Sequence, residues 1–164
     1  MYNRTLASAP TGVSIHVSSH KSDSAAQQEA EKHLLLSLQQ SLGAHFVPDA
    51  LLPLTLGVKP DGVDPDRRIV VEVYARVGSL KSAQLHKVKA DLLKLAYLRK
   101  KLGPDWRAIL CFGSKEAAAF MLGTSWAAAA AAEFGVEVMI QELPADQRAN
   151  VVAAQERQRM VNVE

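Results

Sequence analysis

A single cysteine among 164 residues leaves no disulfide framework and no Cys-rich zinc module to consider. Cys111 lies inside the apolar run Ala108-Ile109-Leu110-Cys111-Phe112, which marks it as a core thiol. No apolar stretch approaches the roughly 18 residues that span a bilayer, because the alanine run at 127–132 is short and closed by Glu133. Met1 to Ser24 is rich in Ser and Thr and holds no continuous apolar segment, so it does not read as a signal peptide. These features give a cytoplasmic expectation with no membrane partner. Also missing are a Gly-rich phosphate loop, a Gly-x-Ser-x-Gly elbow and a CxxC pair, which removes the commonest nucleotide-binding and serine-hydrolase readings. Aromatics make up only 5%, and Trp106 and Trp126 are expected to anchor a core or an interface rather than stack on bases. The five histidines are scattered, and His16 with His20 falls in a region without helical patterning, so an i, i+4 metal pair is not expected.

What is present is one domain's worth of chain with 48% hydrophobic residues, enough to bury a core. Its net charge of +2 conceals a strong asymmetry. Residues 76–107 carry nine Lys or Arg against two acids, while acids outnumber bases on either side. Arg76, Lys81, Lys87, Lys89 and Lys94 therefore form a candidate nucleic-acid-binding surface, weighed against an ordinary solvated helix flank.

Residues 1–22 read as a polar arm, with a short extended piece at Val13 to Val17. Ser24 followed by Gln27 suggests a capping box, and Leu34, Leu35, Leu38 and Leu42 recur at helical spacing until Gly43. Leu51–Lys59 and Arg68–Arg76 read as strands joined by the turn-rich 60–66 segment. A helix capped by Ser79 is expected over Leu80–Leu102, then a strand over Arg107–Phe112 and a helix over Ser114–Phe134 interrupted at Gly123-Thr124. A strand over Val136–Gln141 and an amphipathic helix from Pro144 complete the order. The domain is thus expected over 23–143 with a C-terminal helix at 144–164. The class is α/β, a mixed sheet flanked by helices in the order αβββαβ(α)β plus that helix.

One residue breaks the apolar pattern. Glu72 sits in the strand Ile69-Val70-Val71-Glu72-Val73-Tyr74, sharing a face with Val70 and Tyr74. Asp61 lies across the hairpin turn, where its carboxylate can approach that of Glu72. Two carboxylates in a partly apolar site repel unless a cation joins them, and Mg2+, with Mn2+ as its usual substitute, is the hard ion for such a set. Glu31 falls at about 60° from Leu34 on a helical wheel, inside the leucine stripe, where acids are rarely unpaired.

Pro60-Asp61, Glu72 eleven residues later in a hydrophobic strand, and the element order around them resemble the PD-(D/E)XK nuclease superfamily, over about residues 24–141. The resemblance implies a restriction endonuclease-like core and Mg2+-dependent hydrolysis of DNA. Asp61, Glu72 and the carbonyl of Val73 would be metal ligands, with Glu31 in support. It also implies a lysine two residues after the Glu, a position held here by Tyr74. Some members are similar in placing that residue on the following helix, which here offers Lys81, Gln84 and Lys87. With Val88 at the centre of the apolar face, Lys81 falls at about +20°, Gln84 at about −40° and Lys87 at about −100°. Helix geometry thus favours Lys81, whereas resemblance favours Lys87 and Gln84. The other readings are a catalytically degenerate module of this fold that binds nucleic acid, and an assembly protein. A homodimer fits each, since related enzymes often pair two sites to cut two strands.

Overall fold

The computed structural model describes residues 17–47, 52 and 57–161. Its sheet has four strands: β1 (Gly62–Asp64), β2 (Ile69–Tyr74), β3 (Arg107–Phe112) and β4 (Val136–Ile140), side by side in that order. β1 pairs with β2 antiparallel, with Gly62 opposite Val71 and Asp64 opposite Ile69. The β2–β3 and β3–β4 pairs are parallel. Parallel neighbours need crossovers, and the helices supply them. The first crossover is α2 (Ser82–Leu102), the second α3 (Lys115–Leu122) with α4 (Trp126–Glu133). Both cover one face of the sheet; α1 (Val17–Leu42) and α5 (Ala145–Val161) cover the other.

Alternation along the strands builds the two cores. Val70, Tyr74, Ala108, Leu110 and Phe112 pack against Val88, Leu92, Leu95 and Leu98 of α2. Val71, Val73, Ile109 and Cys111 pack against Ala30, Leu34 and Leu38 of α1 and Val151 of α5. The result is a three-layer α/β/α sandwich with a mixed sheet. Cys111 is buried as expected, and burial pushes its thiol up to about 12 against a backbone N–H from Gln141. Trp106 is in the core, whereas Trp126 is 66% exposed on α4.

Several boundaries differ from expectation. Helix α1 begins at Val17, before Ser24, and so takes in residues assigned to the polar arm, His20 among them. No Gly or Pro interrupts the chain between Gly12 and Gly43, and with nothing to stop it the helix runs back past the capping signal. Gly43, at φ +59°, ends it as anticipated. The hairpin is tighter than the sequence suggests, because its first strand is Gly62–Asp64, inside the stretch assigned to the turn. Val63 is drawn in by the core, and Pro60, which lacks an N–H, keeps β1 from extending backwards. Of the expected Leu51–Lys59 strand, residues 52 and 57–59 are not in a strand; 51 and 53–56 lie outside the described residues, as does the Val13–His16 piece. Helix α2 has Lys81, not Ser79, at its N-cap. Helix α5 packs on α1, so the C-terminal helix belongs to the same sandwich.

Candidate active site

The site forms where β1 stops and β2 continues. Continuing the antiparallel register places Pro60 opposite Val73, so among the described residues β2 has no strand partner on its β1 side there, while β3 still pairs with its other edge. The carbonyls of Arg68 and Tyr74 accept N–H bonds from Arg107 and Gly113, so even-numbered residues of β2 turn their backbone to β3 and odd-numbered ones turn it to the β1 side. Asp61 fills the gap: its Oδ2 accepts the Val73 N–H at 2.9 Å. The Val73 carbonyl opens on that same side. Gly62 lets α1 come close here, since a Cβ on it would lie 3.1 Å from both Leu35 and Phe46. One helical turn before Leu35, Glu31 reaches the same edge of the sheet.

Glu72 points to the α2 face and is 1% exposed. Burial, then the negative charge of Asp61, raises its pKa to about 8, against the pull of Lys94. Lys94 Nζ stands 2.8 Å from Glu72 Oε1 and 3.8 Å from Asp91 Oδ1. Asp91, itself buried on α2, accepts a 2.8 Å bond from Lys87, whose ammonium lies 5.4 Å above the Tyr74 ring. Burial works against the charge of Lys87, yet Asp91, Asp61 and Glu72 together hold its pKa above the ordinary lysine value. Glu31 is raised by burial and by Asp61 and Asp91, against a hydrogen bond from Gln27 and the charge of Lys87. Burial likewise raises Tyr74, opposed by the charges of Arg76 and Lys87.

Four carboxylates (Glu31, Asp61, Glu72, Asp91) and two ammonium groups (Lys87, Lys94) thus sense one another across α1, the hairpin, β2 and α2. Fully ionised, the set carries two more negative than positive charges.

Of the residues singled out from sequence, Asp61, Glu72, Val73, Glu31 and Lys87 meet here. Lys81 and Gln84 do not share the cluster. Gln84 Oε1 accepts the Lys81 N–H at 2.8 Å, closing the first turn of α2, and Lys81 is exposed. The helical wheel aimed Lys81 at the sheet by treating it as part of the helix, whereas it is the cap, and Gln84, inside the helix, turns back to that cap. Asp91 was missed altogether, and Lys94 was expected only on the nucleic-acid surface. On the wheel that centres on Val88, Asp91 falls at about −60° and Lys94 at about −120°, on either side of Lys87. An acid inside a strongly basic helix, sharing one arc with two lysines, was the available signal.

The donors suit a hard divalent ion in kind: Glu72 Oε2, the second oxygen of Asp61 and the Val73 carbonyl are all oxygen ligands, the composition Mg2+ takes with water and phosphate. Among the described residues no three His, Cys, Asp or Glu side chains are grouped to hold an ion. Such an ion would rest on two carboxylates, one carbonyl and its substrate.

The remaining basic residues are dispersed. Lys89 lies on the far side of α2 over the rings of Phe120 and Trp126, at 5.6 and 5.3 Å. Arg107 forms a two-bond pair with Glu137 at 2.8 and 2.6 Å. Arg76 and Lys81 line a cavity against α5. The window is therefore not one continuous positive face. Among the described residues no helix is long and apolar enough to cross a membrane. In comparisons of the chain with family models, curated proteins and solved structures, nothing matches.

Proposed function

We propose that this chain is a Mg2+-dependent nuclease that hydrolyses phosphodiester bonds in DNA, with a restriction endonuclease-like core. The observation that carries the reading is the buried Glu72 carboxylate, placed against the charge of Asp61 and facing Lys94 from the next helix. Its expected counter-ion is only partly supplied by that lysine, since its pKa stays near 8. A carboxyl buried so that its ionisation is disfavoured weakens a fold at neutral pH, and functional sites are where such groups are retained.

Asp61 and Glu72, with the Val73 carbonyl, would hold the ion, and Glu31 and Asp91 add negative potential around it. A bound Mg2+ supplies acidified water and charge neutralisation at the phosphate. The chain's own groups do the rest. Lys87 stands over Tyr74, the motif position, so its ammonium occupies the space above the residue that replaces the family's lysine. Lys94 approaches the same carboxylate directly. Each can donate to a phosphate oxygen as negative charge builds there. Water adds across the P–O bond, giving a phosphate monoester and an alcohol.

Glu72→Gln should abolish Mg2+- or Mn2+-dependent cleavage of labelled linear, nicked, branched and single-stranded DNA while DNA affinity is unchanged or slightly higher. Lys87→Ala and Lys94→Ala separate the two ammonium groups, because loss of the one that stabilises the transition state should slow cleavage by about 10² or more. Wild type that cuts none of these substrates with either metal contradicts the reading. One observation favours a second account: Lys94 already neutralises part of Glu72, as a non-catalytic descendant would require. Salt-sensitive DNA binding without cleavage would establish that account.

A further inference from the structure

Away from the carboxylate cluster, a cavity of about 320 Å3 opens between α5 and the segment joining β2 to α2. Arg76, Lys81, Gln84, Gln155, Glu156 and Arg159 line it, together with the Val77 to Ser79 segment. Its floor is fixed by a two-bond amide clamp, in which Gln155 Oε1 accepts the Val77 N–H at 3.2 Å and Gln155 Nε2 donates to the Val77 carbonyl at 3.0 Å. Among the described residues none of Arg76, Lys81 and Arg159 makes an ion pair, and Arg76 reaches only the Gln158 amide, at 3.4 Å. With Glu156 as the one acid, the lining carries a net charge of +2. The N-terminus of α2, with Lys81 as its cap and Gln84 in its first turn, adds the positive end of a 21-residue helix.

We propose that this cavity binds a phosphate monoester, the terminal phosphate of a DNA strand. A monoester carries close to two negative charges at neutral pH, which matches the lining; an internal phosphodiester carries one. The volume falls at the small-ligand end of binding pockets, room for one end group rather than for a chain passing through. Arg76 follows Glu72 by four residues on β2 and its continuation, so it lies at most about 13 Å further along the chain. A strand with its terminal phosphate here has its next linkages near the carboxylates. The DNA identity of the ligand rests on the nuclease reading; the monoester chemistry does not.

The test is binding in EDTA, where no cleavage occurs, using one fluorescent single strand prepared with a 5′-phosphate, with a 3′-phosphate and with neither. Either phosphorylated form should bind wild type about tenfold more tightly than the unphosphorylated strand. Arg159→Glu, at an exposed position, and Arg76→Gln with Lys81→Gln should each erase that preference, with circular dichroism confirming the fold. Glu72→Gln should keep it. Equal affinity for all three strands overturns the proposal, and so does a preference that survives both cavity variants. Competition by AMP or inorganic phosphate without any strand-end preference overturns the DNA assignment, making the ligand a free phosphate. End preference without cleavage in Mg2+ refutes the nuclease reading alone.

Discussion

Glu72→Gln should make the metal-free protein more stable at neutral pH. Burial and the charge of Asp61 lift the Glu72 pKa from 4.5 to about 8, with Lys94 only partly opposing. A raised carboxyl pKa means that the folded state holds a proton after the unfolded chain has released it. Stability is therefore highest below the unfolded value and falls as pH rises from 4.5 to about 8. Each pH unit in that window is worth about 1.4 kcal/mol, so holding the Glu72 proton that the unfolded chain releases weighs against folding by on the order of 3 kcal/mol at pH 7. Glutamine matches the protonated acid in shape and does not titrate, and Lys94 keeps Asp91 within 3.8 Å. The variant should then match wild type near pH 4 and exceed it progressively up to pH 8. Guanidinium unfolding at half-unit pH steps, in EDTA, measures the difference. A difference that is flat with pH, or a variant less stable than wild type at pH 7, would refute the reasoning.

Two further outcomes follow from other parts of the molecule. Asp64 is 3% exposed and accepts N–H bonds from His45 at 2.8 Å and Arg67 at 2.9 Å; burial opposes its charge, but these bonds hold its pKa below the ordinary value. Asp64→Ala should cost about 2 kcal/mol in urea unfolding at pH 7, and because a lowered pKa stabilises only above the unfolded value of 3.8, the gap should close as pH falls below it. Lys87→Gln with Lys94→Gln should reduce the slope of log affinity for DNA against log salt by roughly 0.9 per lost phosphate contact, and Lys89→Gln, against Phe120 and Trp126, should leave it unchanged.

The Asp61 and Glu72 part of the carboxylate cluster was legible because it violates local rules. A glutamate among valines, and an aspartate at a turn eleven residues earlier, need no tertiary information to be noticed. Strand β3 and the break between α3 and α4 were legible for a similar reason, since Gly-Pro and Gly-Thr punctuate strong patterns. What could not be read were relations set by packing. Asp91 and Lys94 reach the site only because α2 lies over β2, and a sequence cannot say which of several helix lysines faces a given strand residue. β1 escaped because three residues carry no period; only pairing with Ile69–Val71 makes Gly62–Asp64 a strand. The Arg76–Lys81–Arg159 lining joins two segments far apart in sequence, so neither alone suggested it.

The claim that Asp61 and Glu72 share a divalent ion is tested most directly by titrating Mn2+ into metal-free protein and following the free ion by electron paramagnetic resonance. Wild type should bind one ion per chain, and Asp61→Asn and Glu72→Gln should each leave it free, since either change removes one of only two carboxylate ligands. Wild type that leaves all Mn2+ in solution, or variants that bind it as wild type does, would contradict the account.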